Sequence, residues 1–333
     1  MRILLVTDAW APQINGVVVT LRNTITWLGN FGHDVEVISP EGFRTMPMPS
    51  YPEIPLALFP GSAVRRRFNQ FRPEAVHIAT EGPLGLAARK VCIATGQRFT
   101  TAYHTCFPEY VYARTRLPVW FTYRMLRWFH RRSAAVMVAT PAIRAALEQR
   151  GFDNVADWSR GVDTKLFRPA ERRESRFLQP VFLYVGRVAV EKNIAAFLQL
   201  DLPGTKVVVG DGPQLKELEK RFPATVFAGA KTGQELVSYF QMADVFVFPS
   251  RTDTFGLVLL EAMACGTPCA AFPVNGPIDV ITDPAVGVLD EDLRAAALAA
   301  LKLDRVAVRR YAESFSWERC ARQFFDNLVS VPT

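Results

Sequence analysis

The sequence is poor in the residues from which metal centres and disulfide frameworks are built. Only four histidines occur (His33, His77, His104, His130), and no H-E-x-x-H spacing links any two. A transition-metal site made by the protein is therefore not expected. The five cysteines, Cys92, Cys106, Cys265, Cys269 and Cys320, are odd in number and include no C-x-x-C pair. Free thiols in a reducing compartment are the expectation, not bridges or zinc. No apolar run approaches the roughly 18 residues a spanning helix needs. The apolar start, Met1 to Asp8, is too short for a signal peptide and has no small-residue cleavage site, so it reads as a buried first strand of a cytoplasmic chain. Solenoid-period repeats and low-complexity tracts are absent as well. The Gly210-Asp211-Gly212-Pro213 turn is not a dinucleotide fingerprint, because Leu215 stands where a third glycine is needed.

What is present is an ordinary globular composition. With 333 residues, 49% apolar and 21% charged, the chain suits two domains, each able to bury a core. Its net charge of +7 is uneven: residues 1–168 hold 21 Lys and Arg against 12 Asp and Glu, a net of +9, and the remainder stands at −2. A positive field confined to one half suggests an anionic partner: a membrane surface, a phosphorylated acceptor or nucleic acid. Short β-branched or aromatic runs alternate with helix-length amphipathic stretches, the pattern of parallel α/β sheets. Strands are expected at 3–7, 34–38, 75–78, 98–103 and 134–138, with helices at 17–28, 84–95, 119–131 and 141–149. A charged, Pro-containing stretch at 168–176 then reads as a linker. A second strand set follows at 181–185, 206–209, 225–227, 245–248 and 269–271, and a tail helix at 316–328 opens on Ser316 with Glu318 in its first turn. The resulting division is a first domain at 1–168, a linker at 169–178, a second domain at 179–314 and a terminal helix at 315–333. Two successive doubly wound domains predict a ligand cleft where their strand ends face.

The segment from Phe248 to Ala264 is the most informative. A strand ends at Pro249, a polar loop follows, and a helix begins near Phe255 or Gly256. Gly256 removes side-chain bulk where the amides of Gly256 and Leu257 can receive a phosphate. Asp253 precedes this turn and Glu261 lies about two helical turns into it. Carboxylates accept hydrogen bonds in pairs, as the vicinal hydroxyls of a hexose and a ribose require. Taken alone, Asp253 reads as an N-cap and Glu261 as an exposed helix residue; the surrounding residues reverse that reading.

The segment resembles the E-x7-E region of the retaining family 4 glycosyltransferases of GT-B fold, including the continuation FGLVLLEAMACGTP at 255–268. Asp253 and Glu261 take the two acidic places, to hold the donor sugar and ribose; the first is usually Glu, so this chain is one methylene shorter there. The Thr252-Asp253-Thr254 form resembles a branch that includes sulfolipid synthases, glycolipid synthases and GDP-mannose-dependent α-mannosyltransferases. Val185 to Asn193 resembles the family's G-R-x-x-x-E-K-N loop, in which Arg187 and Lys192 neutralise the diphosphate leaving group. Gly212 in the G-D-G-P turn, with Ala228 and Gly229 in Phe227-Ala228-Gly229, takes the nucleobase positions. Gly16, in Pro12-Gln13-Ile14-Asn15-Gly16, resembles the glycine loop that lets backbone approach the donor phosphates. Tyr103 to Tyr110 resembles the active-site His loop, where His104 hydrogen-bonds the transferred sugar or orients the acceptor. Trp158 to Pro169 resembles the segment closing the first domain, and Phe315 to Glu318 the start of a helix returning to it.

The resemblance implies two doubly wound Rossmann-like domains facing each other across a cleft. The first would bind the acceptor and the second a UDP- or GDP-linked sugar, with retention, no cofactor and no metal. Asp290-Glu291-Asp292 is the only Asp-x-Asp of the kind metal-dependent GT-A enzymes use. It comes late and opens a helix, so capping is its expected role.

One feature stands outside this frame. From Arg114 to Arg132, Arg124, Arg127 and Arg131 fall at helical spacing, with Trp120, Phe121, Trp128 and Phe129 beside them and a second cluster at Arg65-Arg66-Arg67. Two readings stay open: an anionic membrane surface, or a core helix with a solvated charged face. The first points to a peripheral enzyme at the inner face of the membrane, with a lipid such as diacylglycerol as acceptor. A soluble or polysaccharide acceptor is the alternative. Among other classes, a UDP-sugar epimerase needs no basic acceptor surface, and a nucleic-acid-binding protein would leave the C-terminal motifs idle, so no nucleic-acid partner is expected.

Overall fold

The computed structural model describes all residues except 14, 49–50, 105–107, 109–110, 113–116, 172–174 and 329–333, and the side chains of 51–53. The chain forms two compact units: Met1–Arg160 with Trp317–Thr333, and Gly161–Ser316.

In the first unit, strands β1 (Arg2–Val6), β2 (Asp34–Ile38), β5 (Ala75–Ile78), β6 (Thr100–Tyr103), β7 (Val136–Val138) and β8 (Val155–Asp157) form one sheet in the order β2-β1-β5-β6-β7-β8. Every pairing in it is parallel. A parallel sheet covered on both faces needs strands apolar on both faces, and Ile3 to Val6 and Val136 to Val138 are accordingly fully buried. An antiparallel hairpin, β3 (Thr45–Met48) with β4 (Tyr51–Ala57), stands apart from the sheet. Helices sit where caps and periodicity put them. Asn15 caps Gly16–Asn30, Pro83 and Pro141 occupy first turns, and Gly96 closes Pro83–Thr95 in the left-handed region. The terminal helix Trp317–Asn327 packs on this unit through a His33–Phe325 stack (4.3 Å), with Asn327 donating to the Asp157 carbonyl (2.7 Å).

The second unit repeats the plan with β9 (Val181–Val185), β10 (Thr205–Val209), β11 (Val226–Phe227), β12 (Val245–Phe248), β13 (Cys269–Ala271) and β14 (Gly287–Leu289), ordered β11-β10-β9-β12-β13-β14. All its pairings are parallel too. Its core is dense in aromatics, with Phe182, Tyr184 and Phe197 buried together against Leu293, Ala296 and Ala297 of the Leu293–Ala300 helix. Residues 161–168, which the sequence assigns to the first domain, group with this unit. Arg309 holds them by donating to the carbonyls of Thr164 (3.1 Å) and Phe167 (2.7 Å).

Candidate active site

In the second unit the sheet grows outward in opposite directions from β9 and β12. Their C-terminal ends are therefore the topological switch point where doubly wound sheets bind ligands. Two loops meet there, one after each strand. Asn193 adopts a left-handed conformation (φ 52°) and donates through Nδ2 to the Pro249 carbonyl (3.1 Å), and Thr252 Oγ1 donates to the Glu191 carbonyl (3.1 Å). With the loops tied, the Lys192 ammonium donates to Asp253 Oδ1, the side chains being 22% and 16% exposed. The cation and the first acid of the two motifs, 61 residues apart, thus form one ion pair. Among the described residues, the other Asp253 oxygen, Oδ2, and Ser250 Oγ are buried and accept no hydrogen bond. Orphaned polar atoms of this kind cost about 1–3 kcal/mol each unless a ligand satisfies them.

The helix Leu257–Ala264 begins beside this pair. Gly256 precedes it at φ +89°, and a Cβ there would meet Phe248 Cζ and Leu259 Cδ1, both at 3.1 Å, so only glycine makes the turn without strain. Among the described residues no side chain caps the helix, which leaves its first-turn amides and positive dipole end available to an anion. Glu261 follows Leu257 by one turn on the same face and is only partly exposed. Burial pushes its carboxyl up to about 7. It is not the solvated helix residue an isolated reading would make it.

Arg187 is half-buried at the end of β9, its carbonyl accepting from Tyr184 Oη (2.8 Å). The neighbouring strand ends are knitted by glycines. Gly210 donates to the Gly229 carbonyl (2.9 Å), and Ala228 to that of Val208 (2.9 Å). A Cβ on Gly210 would sit 1.8 Å from the Gly186 oxygen, and one on Gly212 would sit 2.4 Å from the Val188 oxygen. Gly212 therefore brings its turn against the loop that bears Arg187, while Gly229 (φ 70°) faces open space.

In the first unit, Gly16 starts its helix, but the amides of Val17 and Val18 are already taken by Asn15 Oδ1, each at 3.0 Å. At this sheet's switch point, between β1 and β5, Asp8 receives hydrogen bonds from Leu84 N (2.9 Å), Gly85 N (3.4 Å) and Thr80 Oγ1 (2.8 Å). An internal carboxylate thus occupies the start of Pro83–Thr95. Burial holds the Asp8 pKa above its ordinary value. His104 follows β6, and Arg160 Nη2 lies 3.3 Å from its Nδ1. Burial first, then the Arg160 charge, keeps the His104 pKa well below its usual value. Thr105 to Phe107, Glu109 and Tyr110 of the His loop lie outside the described residues, as does Cys106; the other four cysteines are free and buried.

Arg124, Arg127 and Arg131 are exposed on or just after the helix Val119–His130. So are Trp120 (68%), Phe121, Met125 and Trp128 (48%), whereas Phe129 is core. Arg67 of the second basic cluster is pinned to Glu36 (2.9 Å). Asp292 caps Leu293–Ala300, and Glu291 pairs with Arg251 (2.8 Å), so the Asp-x-Asp triplet is structural. Sequence reasoning left Asn193, Ser250 and Thr252 without roles, although all three lie in the quoted motifs. It read Arg160 as part of a closing segment.

Comparison with known proteins agrees with this geometry. The family model described as Glycosyltransferase Family 4 matches residues 14–166, and that described as Glycosyl transferases group 1 matches 179–304. A GDP-mannose-dependent alpha-mannosyltransferase of Mycobacterium tuberculosis is 31% identical, covering 87% of this chain and 83% of that one. An alpha-monoglucosyldiacylglycerol synthase of Streptococcus pneumoniae is 28% identical, covering 90% and 78%. The solved sucrose-phosphate synthase from Thermosynechococcus elongatus superposes with a TM-score of 0.77 at 20% identity, over 98% of this chain and 97% of that one. Motifs, switch-point geometry and relatedness across both halves agree: the chain belongs to the family 4 glycosyltransferases, with the paired Rossmann-like units of the GT-B fold.

Proposed function

We propose that this glycosyltransferase moves a hexose from a UDP- or GDP-linked α-donor to a hydroxyl of a membrane lipid such as diacylglycerol, with retention and without a metal ion. The observation that carries the reading is the Lys192–Asp253 pair beside Gly256. It sets a cation, uncapped helix amides and an orphaned carboxylate oxygen at one switch point. The amides around Gly256 and Leu257, with Arg187 and Lys192, suit a diphosphate whose charge grows as the bond to the sugar C1 breaks. Asp253 Oδ2 suits a hexose hydroxyl donor, and Glu261 the ribose hydroxyls. The acceptor hydroxyl attacks C1 from the leaving-group face through an oxocarbenium-like transition state. Its proton passes to the departing phosphate oxygen, so no nucleophile or metal from the protein is needed. Gly212, Ala228 and Gly229 frame the base, and His104 hydrogen-bonds the sugar or the acceptor. The relatives' names support both sides of the reaction, one specifying GDP-mannose and the other diacylglycerol.

The lipid acceptor rests on the Val119–His130 helix. Tryptophan with 68% or 48% of its surface in water, beside three exposed arginines, suits the headgroup boundary of an anionic bilayer. Leu86 and Ile93, both exposed on Pro83–Thr95, border the same groove as Trp128 and widen the apolar face. Among the described residues no helix is long and apolar enough to cross a membrane, so attachment would be peripheral, at the inner face. Each basic residue near an anionic surface contributes about 1 kcal/mol, and three together shift partitioning roughly 100-fold. The test pairs a thermal-shift screen of UDP- and GDP-sugars with vesicle flotation and product analysis on extracted lipids. The protein should float with anionic vesicles, and the Arg124/Arg127/Arg131 triple alanine variant should stay behind while still binding donor. A wild type that ignores anionic vesicles and glycosylates a soluble sugar would refute the lipid acceptor.

A further inference from the structure

Arg160 is 5% exposed, and among the described residues it has no carboxylate partner. A cation is seldom left in that state without another use. Its Nη1 donates to the carbonyls of Trp158 (2.5 Å) and Ser159 (3.0 Å), and its guanidinium stacks 4.6 Å from the centre of the Trp158 indole. Those contacts fix the plane of the group and leave Nη2 directed at His104 Nδ1, 3.3 Å away. The same indole meets the His104 ring edge-on at 5.5 Å, so one aromatic wedge orients both partners.

Guanidinium has five N–H donors and no acceptor. An imidazole nitrogen facing it must offer a lone pair, and in the neutral ring the proton then belongs to the other nitrogen. We propose that Arg160 is a positioning residue that locks His104 as the neutral Nε2–H tautomer, making it a fixed hydrogen-bond donor that cannot serve as a base. This rests on the reading above, in which His104 contacts the transferred sugar or the acceptor, and it sharpens that role. An Nε2–H supports a substrate hydroxyl by donating to its oxygen and takes no proton from it, so the acceptor's proton must leave by the donor phosphate. The charged and titratable groups around the ring act together. Arg160 and His77 both act on it, His77 also packing edge-on against Trp158, and the Cys320 thiol acts on Arg160. Burial lowers His77 to about 3 and Arg160 only to about 10. At neutral pH the arginine is therefore charged and opposes a proton on His104 Nδ1, while His77 is neutral and adds no charge of its own.

The experiment is nitrogen-15 NMR of the histidine side chains in the ligand-free chain, with His104→Gln used for assignment. His104 should show the Nε2–H pattern and no titration between pH 5.5 and 8.5. In Arg160→Met it should become a tautomer mixture or titrate within that range. Arg160→Lys, which keeps one donor and the charge, should restore the wild-type pattern in part. In steady-state transfer Arg160→Met should lower kcat about 10-fold, leave KM for the donor within about 2-fold and add an acidic limb to the pH profile; those sizes fit loss of one charge-assisted hydrogen bond. Thermal melts and nucleotide binding report whether either variant is misfolded. An Nδ1–H pattern in the wild type, or titration near 6.5, overturns the proposal outright. Full transfer by His104→Ala overturns the catalytic reading of His104 instead, and the NMR spectrum still decides the tautomer.

Discussion

Replacing Glu261 by glutamine separates what this residue does for the fold from what it does for the substrate. Burial raises its carboxyl from 4.5 to about 7. An acid whose folded pKa lies above its unfolded one holds an extra proton in the native state between those values. Stability is therefore highest below about 4.5 and declines as pH rises to about 7, beyond which the ionised carboxylate is a constant penalty. The interval corresponds to about 3 kcal/mol at pH 8 and less than about 1 kcal/mol at pH 5. Both figures are ceilings, since the side chain keeps some contact with water. Glutamine has the same shape and no charge. The ligand-free Glu261→Gln protein should melt several degrees above wild type at pH 8, at about 2–4 °C per kcal/mol for a unit of this size. The gain should shrink steadily toward pH 5. Transfer should fall more than 10-fold in the same variant, because a charged hydrogen bond to the donor is worth about 1.5–3 kcal/mol. Calorimetry across pH 5–8 and a radiolabelled transfer assay measure the two effects. Equal melting temperatures at pH 8 would show that the carboxyl is well hydrated, and a stabilised variant with full activity would remove Glu261 from the donor site.

Lys192→Ala should cut transfer more than 10-fold while the chain stays folded, and nucleotide-sugar affinity by isothermal titration should drop with it; unchanged affinity would misplace the diphosphate. Activity should survive EDTA, and the product should be an α-glycoside by NMR coupling constants. Metal-dependent rescue would count against the roles of Arg187 and Lys192, and a β-product against retention. Gly210→Ala, whose Cβ would lie 1.8 Å from the Gly186 oxygen, should destabilise the second unit by several degrees or abolish soluble yield, and a wild-type melt would contradict the close approach.

Legibility in this fold follows burial. The runs at 34–38, 75–78, 181–185, 245–248 and 269–271 are strands with those same ends, because a short apolar run between polar turns has little else to become. What escaped was marginal or masked. Pro47, Pro52 and Pro55 argue against strand, yet they lie in the two-stranded β3–β4 hairpin, where an edge tolerates a missing donor. Val155–Asp157 and Gly287–Leu289 are three-residue sheet edges, too short for any pattern to register. Gly61–Phe71 buries only Val64 and Phe68, and its arginine triplet hides that stripe. Read as a second basic cluster, the triplet gives up Arg67 to Glu36.

The candidate site divides along a different line. Lys192, Asp253, Gly256 and Glu261 could be named because the contiguous segments that hold them resemble the family's donor motifs. Arg160 could not, since its meaning depends on His104, 56 residues earlier and two strands away across the sheet. Asn193 is intermediate: the motif contains it, but only its φ of 52° and the hydrogen bond to the Pro249 carbonyl explain it. The left-handed turn swings its amide across to the end of β12. Removing the side chain would leave Thr252 to Glu191 as the remaining tie of the two on the loop that presents Lys192 to Asp253. Asn193 thus acts on the proposed donor site through geometry, which is why the motif could mark its position without disclosing its task.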